Sequence, residues 1–397
     1  MGMRFFSAAL SLLLLPSALL AQQSSHPDRP ETQTRFVDVG GHKLRVQVTE
    51  AATTTTSTPT VVFDSGLGGG LRDWNPVVPE VARFARVVTY DRAGLGESQP
   101  SPKARSFTQA ATELRTLLRN AGIAPPYVLV GHSLGGANIR AFAHLYKDEV
   151  AGLVFVDPFS EDLFKSLSPE ETEKGAAEQR AWSKQGPPAA LAEFEFAFGE
   201  VQNGFPQLTS YGAPPDVPMM LLVAGRGRGP NEGAAVLRQY GSWMADATEG
   251  GVVFTPDSGH YIQRDDPALV ISAIRKVVFP SVQIALEREI REKDVTAAIA
   301  RYRQMRLWYP ADAFRERTLN VLGYEQLRAK RTQEAISLFK LNVEMFPDSG
   351  NVHDSLGEAY MAQGERDAAI ASYRKSLALD PDNTNATEMV EKLEKER

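Results

Sequence analysis

Between residues 36 and 280 the chain alternates short apolar runs with segments of helical spacing. Most of the runs are apolar on both faces, which is typical of parallel strands covered by helices. They read RFVDV, KLRVQV, TVVFDSG, ARVVTYD, YVLVGHS, AGLVFVDP, VPMMLLVAG and GGVVFTPDSGH. The first two flank Gly40-Gly41 and predict a hairpin. An antiparallel start followed by strand–helix alternation predicts a mostly parallel α/β sheet.

One interval breaks this alternation. Residues 159–213 contain helical patterns but no convincing strand. An insertion of that size, placed over the carboxyl edge of a sheet, predicts a lid of helices.

After Pro280 the pattern is helical only, and it repeats at a spacing of 34 residues. The matching positions are Leu322-Gly323 with Leu356-Gly357, Ala335-Ile336 with Ala369-Ile370, Phe339 with Tyr373, and Pro347-Asp348 with Pro381-Asp382. A fainter unit with Ala298-Ile299, Tyr302 and Pro310 precedes them at an offset of 37. The region 281–384 resembles the tetratricopeptide repeat, which implies close packing of paired helices at the small residues. We expect a helical domain over 281–397, with a charged helix at 385–397 capping the stack.

Length, charge and composition narrow the class of protein. A chain of 397 residues is longer than one ordinary domain needs, so we expect two domains. The net charge is −6 and no dominant basic block is present, which argues against a nucleic-acid partner. With no cysteine, the chain can form neither a disulfide nor a Cys-ligated metal site.

The N-terminus has the pattern of a secretory signal peptide. Arg4 precedes an apolar stretch to Leu20, and Ala21 is followed by the polar sequence QQSS. We therefore predict a signal peptide at 1–21 and a periplasmic or secreted protein; an uncleaved membrane anchor is the alternative. We expect no stable membrane span after its cleavage.

The sequence Gly131-His132-Ser133-Leu134-Gly135 encloses a serine between glycines. It follows a buried-strand pattern and opens a helix, which is the setting of a nucleophile elbow. Together with VFDSGLGGG, YDRAGLGES and the late SGH, it makes residues 36–280 resemble an α/β-hydrolase. The resemblance implies that Ser133 is a catalytic nucleophile.

A serine hydroxyl needs a base, and the chain has six histidines. His260 follows the last predicted strand, where the family's order of nucleophile, acid and histidine also puts the base. His132 lies inside the motif, but we expect it to point to the opposite side of the turn from Ser133.

The acid has two candidates. Family members most often carry it after the strand that follows the lid, where this chain offers only Glu232 as a late carboxylate. Others carry it after the strand that follows the nucleophile helix, where LVFVDP ends in Asp157. We favour Asp157 over Glu232. By resemblance, the backbone N–H groups of Leu67 and Leu134 form the oxyanion hole.

These features predict a serine hydrolase that cleaves a small-molecule ester through an acyl-enzyme and needs no metal or organic cofactor. An amidase or aminopeptidase and an acyltransferase would use the same groups, so an amide substrate stays open. A different class is a non-catalytic binding or scaffold protein that acts through its tetratricopeptide repeats on a protein partner.

Overall fold

The computed structural model describes residues 30–52, 58–227, 230–247 and 249–395. The predicted signal peptide at 1–21 lies outside the described residues. The rest forms an α/β sheet with covering helices, followed by a region of helices alone.

A sheet of eight strands has the order β1-β2-β4-β3-β5-β6-β7-β8. The strands are β1 Thr32–Asp38, β2 Lys43–Thr49, β3 Thr60–Asp64, β4 Val87–Tyr90, β5 Tyr127–His132, β6 Val150–Val156, β7 Met219–Ala224 and β8 Gly250–Thr255. Strand β2 runs antiparallel to β1 and to β4, and the other pairings are parallel. The prediction of a mostly parallel sheet is confirmed.

Helices cover both faces of this sheet, which is why its central strands are apolar throughout. The covering helices are α1 Val78–Val81, α2 Phe107–Asn120, α3 Leu134–Leu145, α8 Pro230–Asp246, α9 Ile262–Asp265 and α10 Pro267–Val278, with short 3-10 turns at Leu71–Trp74 and Lys147–Glu149. Helices α2, α3 and α8 contribute to one apolar core, and α10 contributes to the other. Strand β8 lies at the edge, where Val252 and Phe254 are exposed.

The interval between β6 and β7 consists of helices and contains no strand, as the sequence predicts. These helices are α4 Glu161–Lys165, α5 Pro169–Ser183, α6 Pro188–Gln202 and α7 Pro206–Tyr211. Helix α5 begins with a capping box, in which the Ser168 side chain accepts from the Glu171 N–H and Glu171 accepts from the Ser168 N–H. We call α4–α7 the lid.

The C-terminal region is built of packed helix pairs. Its helices are α11 Val282–Glu292, α12 Val295–Met305, α13 Glu316–Arg328, α14 Thr332–Met345, α15 Gly350–Gln363, α16 Arg366–Leu379 and α17 Thr384–Lys395, with a 3-10 turn at Ala311–Ala313. A Cβ on Gly323 would lie 2.5 Å from the Phe339 ring, and one on Gly357 would lie 2.8 Å from the Tyr373 ring. The glycine recurs in each repeat because the aromatic ring that packs against it leaves no room for a side chain.

The stretch Pro267–Glu292 is long and apolar enough to cross a membrane by length and composition. The stretch comprises two helices, α10 and α11, separated at 279–281. Val270, Ile274 and Val277 of α10 are buried in the core against the sheet. A helix buried in a protein core can be as long and as apolar as a membrane-spanning one.

The two regions meet around Phe279, just after α10. Its ring lies 5.8 Å from that of Phe84 beside the sheet and 5.4 Å from that of Tyr309 after α12. The backbone N–H of Ser281 donates to the Glu249 carboxylate at 2.8 Å. The helical region thus packs at the end of the sheet where the parallel strands begin, opposite to their carboxyl ends.

Candidate active site

Ser133 stands at the turn between β5 and α3 with φ 52° and ψ −120°. A positive φ is strained for a residue with a side chain, at a typical cost of about 1–3 kcal/mol. The flanking glycines make the turn possible, because a Cβ on Gly131 would lie 2.5 Å from the Gly135 carbonyl oxygen. A Cβ on Gly135 would lie 2.2 Å from the Asp64 carbonyl oxygen. The glycine–serine–glycine pattern is therefore explained by backbone crowding at this turn.

Asp157 follows β6, is fully buried and also has a positive φ, of 42°. Its Oδ1 accepts a hydrogen bond from the Ala224 N–H at 3.0 Å. Its Oδ2 accepts from Nδ1 of His260 at 2.6 Å. The two hydrogen bonds fix the carboxylate. Because the proton of the neutral His260 ring is on Nδ1, its Nε2 can accept a proton from another group.

The His260 side chain is about half exposed, at 46%, and lies on the loop after β8. It lines the same cavity as Ser133. Among the described residues no direct hydrogen bond joins the two side chains; catalytic hydrogen bonds in ligand-free structures are often long and tighten when substrate binds.

Glu232, the other candidate acid, lies in the first turn of α8. The carboxylate that is hydrogen-bonded to Nδ1 of His260 is that of Asp157.

Leu67 and Leu134, the expected oxyanion donors, line the same cavity. Leu134 is the first residue of α3, so its N–H has no partner within the helix and lies at the positive end of the helix dipole. Leu67 lies in the glycine-rich loop after β3, which is closed by a hydrogen bond of 3.0 Å from the Gly69 N–H to the Gly66 carbonyl.

We expected His132 to point to the opposite side of the turn from Ser133, but the structure has both side chains on the wall of one cavity. The His132 ring is buried and lies 4.6 Å from the His260 ring. Its Nε2 donates to the His260 backbone carbonyl at 2.8 Å. Burial, and then the nearby His260, lowers the pKa of His132 well below its ordinary value. His132 is thus a neutral donor that supports the loop carrying His260; its position directly before Ser133 was the signal for it.

The cavity has a volume of about 480 Å³, and the lid forms most of its wall. Its apolar lining includes Phe159, Phe164, Phe194, Ala197, Phe198 and Val201. Trp182 and Tyr261 also line it and are 48% and 37% exposed, so they lie at its open side. Its polar lining outside the predicted triad includes Glu171, Thr172 and Gln179, and no lysine or arginine of the described residues lines it.

In the part of the chain that the structure describes, no group of three or more His, Cys, Asp or Glu side chains could hold a metal ion. The site consists of a serine, a paired histidine and backbone amides around an apolar cavity.

Comparison with known proteins agrees with this fold. A family model described as alpha/beta hydrolase fold matches residues 59–199, and one described as tetratricopeptide repeat matches 350–383. The uncharacterized protein YqjL of Bacillus subtilis (strain 168) is 30% identical over 222 residues, which cover 55% of this chain and 83% of YqjL. The chain belongs to the α/β-hydrolase family, and it carries a tetratricopeptide repeat at 350–383.

Two further proteins are similar over different lengths. The "Putative carbamate hydrolase RutD" of Serratia proteamaculans (strain 568) is 39% identical over 100 residues, which are 25% of this chain and 37% of that protein. The solved structure of a "Putative Acyltransferase" from Salmonella enterica superposes with a TM-score of 0.50 and 18% identity. That superposition covers 63% of this chain and 96% of the other, and it shows a shared fold.

Proposed function

We propose that the protein is a serine hydrolase that cleaves carboxylic esters through an acyl-enzyme. The observation that carries the proposal is the hydrogen bond of 2.6 Å between the buried Asp157 and His260, which lines the same cavity as the strained Ser133. A serine, a histidine and a buried carboxylate in these roles define the chemistry of acyl transfer.

In the first half of the reaction, Nε2 of His260 takes the proton from Ser133 while the serine Oγ attacks the ester carbonyl. The negative charge that develops on the carbonyl oxygen faces the N–H groups of Leu67 and Leu134. The imidazolium is stabilised by the Asp157 carboxylate and then gives its proton to the leaving alcohol, which departs and leaves Ser133 acylated.

In the second half, His260 takes a proton from a water molecule while the water oxygen attacks the carbonyl carbon of the acyl-enzyme. Collapse of the second tetrahedral intermediate breaks the bond to Ser133, which recovers the proton from His260. The carboxylic acid leaves, and the enzyme returns to its starting state.

The cavity favours an uncharged, apolar acyl group. Four phenylalanines line it, and the lining of described residues contains the acidic Glu171 but no cationic side chain. An apolar chain gains about 25 cal/mol for each Å² that it buries, whereas an anionic group would find no countercharge there.

The deciding experiment is labelling with a fluorophosphonate, which reacts with an activated serine. We expect stoichiometric labelling of the wild-type protein at Ser133 and none of Ser133→Ala. A folded wild-type protein that takes up no label would contradict the proposal. That result would favour the alternative of a binding or scaffold protein that acts through its repeats.

Other acyl substrates are a second candidate, because the similar RutD protein is named as a carbamate hydrolase. A panel of esters of graded acyl length, with matched carbamates and amides, distinguishes these reactions by kcat/KM. Adding an acceptor alcohol to the same assay tests acyl transfer, which would appear as a new ester product.

We also propose that the repeats bind a protein partner, and that the protein is exported. Tetratricopeptide repeats present an extended surface suited to a partner. The pattern at 1–21 supports export to the periplasm or the medium. N-terminal sequencing of the protein recovered outside the cytoplasm should begin at Gln22; recovery of a chain that retains Met1 would contradict cleavage.

A further inference from the structure

A fully buried ion pair connects the lid to the loop of Leu67. Arg92, just after β4, is 4% exposed, and Glu193 of α6 is 3% exposed. Arg92 Nε donates to Glu193 Oε1 at 2.7 Å, and its Nη2 donates to Glu193 Oε2 at 2.8 Å. Burial by itself would raise the pKa of Glu193, but Arg92 outweighs it and holds the pKa below its ordinary value. The pair is thus ionised and bidentate.

The remaining N–H groups of Arg92 are directed at the loop. Its Nη1 donates to Asp64 Oδ1 at 2.7 Å and to the Ser65 carbonyl at 2.6 Å. Its Nη2 also donates to the Gly66 carbonyl at 2.7 Å. A guanidinium has five N–H donors, and here each has an acceptor. Arg92 is therefore held in one orientation.

The contact with Gly66 bears directly on the expected oxyanion donor. The Gly66 carbonyl and the Leu67 N–H belong to the same peptide group, which is planar and trans, so they point in opposite directions. By holding the carbonyl oxygen in the interior, Arg92 sets the direction of the Leu67 N–H. A cation on the carbonyl also polarises the peptide group and makes its N–H a stronger donor.

Glu193 holds the other side of Leu67. Its Oε2 accepts a hydrogen bond from the Gly68 N–H at 3.0 Å. Gly68 has φ 65°, and a Cβ there would lie 3.2 Å from Ala190 and 3.3 Å from Trp182, both in the lid. The loop around Leu67 is consequently in contact with the lid on one side and with Arg92 on the other.

We propose that Arg92 and Glu193 are positioning residues, which orient the Leu67 N–H toward the oxyanion. Because Glu193 lies on lid helix α6, this orientation depends on the position of that helix. The inference rests on the proposed function, since the oxyanion is that of the reacting ester. It predicts that loss of the pair lowers kcat more than it raises KM, because the donor acts in the transition state.

The structure offers a matched control in a second buried ion pair between the lid and the sheet region. Arg140 of α3 donates to Glu161 of α4 at 2.6 Å, and each side chain is 5% exposed. Arg140 also donates to the Leu208 carbonyl at 2.8 Å. None of these groups belongs to the loop of Leu67. Glu161→Gln therefore reports the general effect of breaking a buried lid contact.

The test compares wild type, Glu193→Gln and Glu161→Gln in the full chain, with an apolar ester as substrate. We expect kcat to fall about 100-fold in Glu193→Gln, as for loss of an oxyanion donor, with KM changed less than about threefold. The affinity for an alkylboronic acid, which forms a tetrahedral adduct on the serine, should fall by a similar factor. Glu161→Gln should keep kcat within about threefold of wild type. Equal losses in the two variants, or none in Glu193→Gln, would overturn the inference.

Two further measurements keep the test decisive. If Glu193→Gln does not fold, Glu193→Asp replaces it, because its shorter carboxylate cannot reach both Arg92 and Gly68; we expect a kcat loss of about tenfold. Hydrogen exchange in the peptide spanning 64–71 should be faster in the Glu193 variant and unchanged in Glu161→Gln. If wild type is neither labelled nor active, the proposed function fails, and unchanged exchange would show that the ion pair does not hold the loop either.

Discussion

The hydrolase region and the repeat region differ in whether they bury charged side chains. Up to residue 280, the buried side chains include several charged residues, among them Asp64, Arg92, Arg140, Asp157, Glu161 and Glu193. In the described residues from 281 to 395, no Asp, Glu, Lys or Arg is buried. Buried charge is costly unless it is paired, so its concentration in one region needs a reason.

For Asp157, Arg92 and Glu193 the reason is fixed geometry around one site. Asp157 orients His260, and Arg92 with Glu193 surrounds the loop of Leu67. The repeat region needs only that each helix pack on the next, which glycine against an aromatic ring achieves without charge. A region that fixes the geometry of the candidate active site therefore carries an electrostatic cost that a region of stacked helices avoids.

The largest effect that would test this comparison is the loss of the acid. Asp157→Asn should lower kcat on the order of 10⁴-fold, because the amide no longer stabilises the imidazolium or its tautomer. Steady-state kinetics on the preferred ester measures this. Glu232→Gln is the control and should keep kcat within about threefold. The reverse pattern would assign the acid to Glu232.

The next effect compares a buried ion pair with an exposed one. Glu161→Gln leaves the buried Arg140 without its anionic partner and should lower the free energy of unfolding by about 3–5 kcal/mol. In the repeats, Arg303 and Glu344 are 2.8 Å apart but 58% and 51% exposed, so Glu344→Gln should cost at most about 1 kcal/mol. Urea denaturation of both variants measures the difference, and equal losses would refute the contrast between the regions.

A smaller effect tests the packing of the repeats. Gly323→Ala places a methyl group 2.5 Å from the Phe339 ring and should lower the free energy of unfolding by about 1–3 kcal/mol. Ester turnover should not change. Gly241→Ala, in helix α8, meets no atom within 4 Å and should be neutral or stabilising by up to about 1 kcal/mol. Thermal unfolding of the two variants would contradict this account if Gly323→Ala were the more stable.

The smallest effect concerns pH and His132. Its pKa is lowered in the folded protein, so below about pH 6.5 the unfolded chain binds a proton that the folded chain does not. The contribution of His132 to stability is complete above that pH and declines as the pH falls toward the folded pKa. The slope from this group is at most about 1.4 kcal/mol per pH unit. His132→Asn should therefore flatten the dependence of unfolding free energy on pH between 7 and 5; an unchanged slope would show that folding does not lower the pKa of His132.

Much of this organisation was predictable because it depends on local patterns. Buried strands, the helical lid and the repeats each leave a periodic signal in neighbouring residues, and the structure has the predicted sheet, lid and helix pairs. The sequence could predict the sharp turn at Ser133, because the crowded backbone requires glycines within two residues of it.

Contacts between distant residues were not predictable in this way. Arg92 and Glu193 are 101 positions apart, and Asp157 and His260 are 103 apart. The sequence left Asp157 and Glu232 as candidate acids, and only the tertiary structure shows that Asp157 is hydrogen-bonded to His260. His132 was misjudged because the direction of a side chain at a strained turn depends on what packs around it.

The sequence by itself determined which segments are strands and helices, where the chain turns sharply and which side chains can do chemistry, because these depend on residue type and local spacing. The tertiary structure alone decided the strand order, the partner of each buried charge and the orientation of the loop that carries Leu67. Those features arise from packing between segments far apart in the chain, where a difference of a few ångströms separates a hydrogen bond from an unpaired charge.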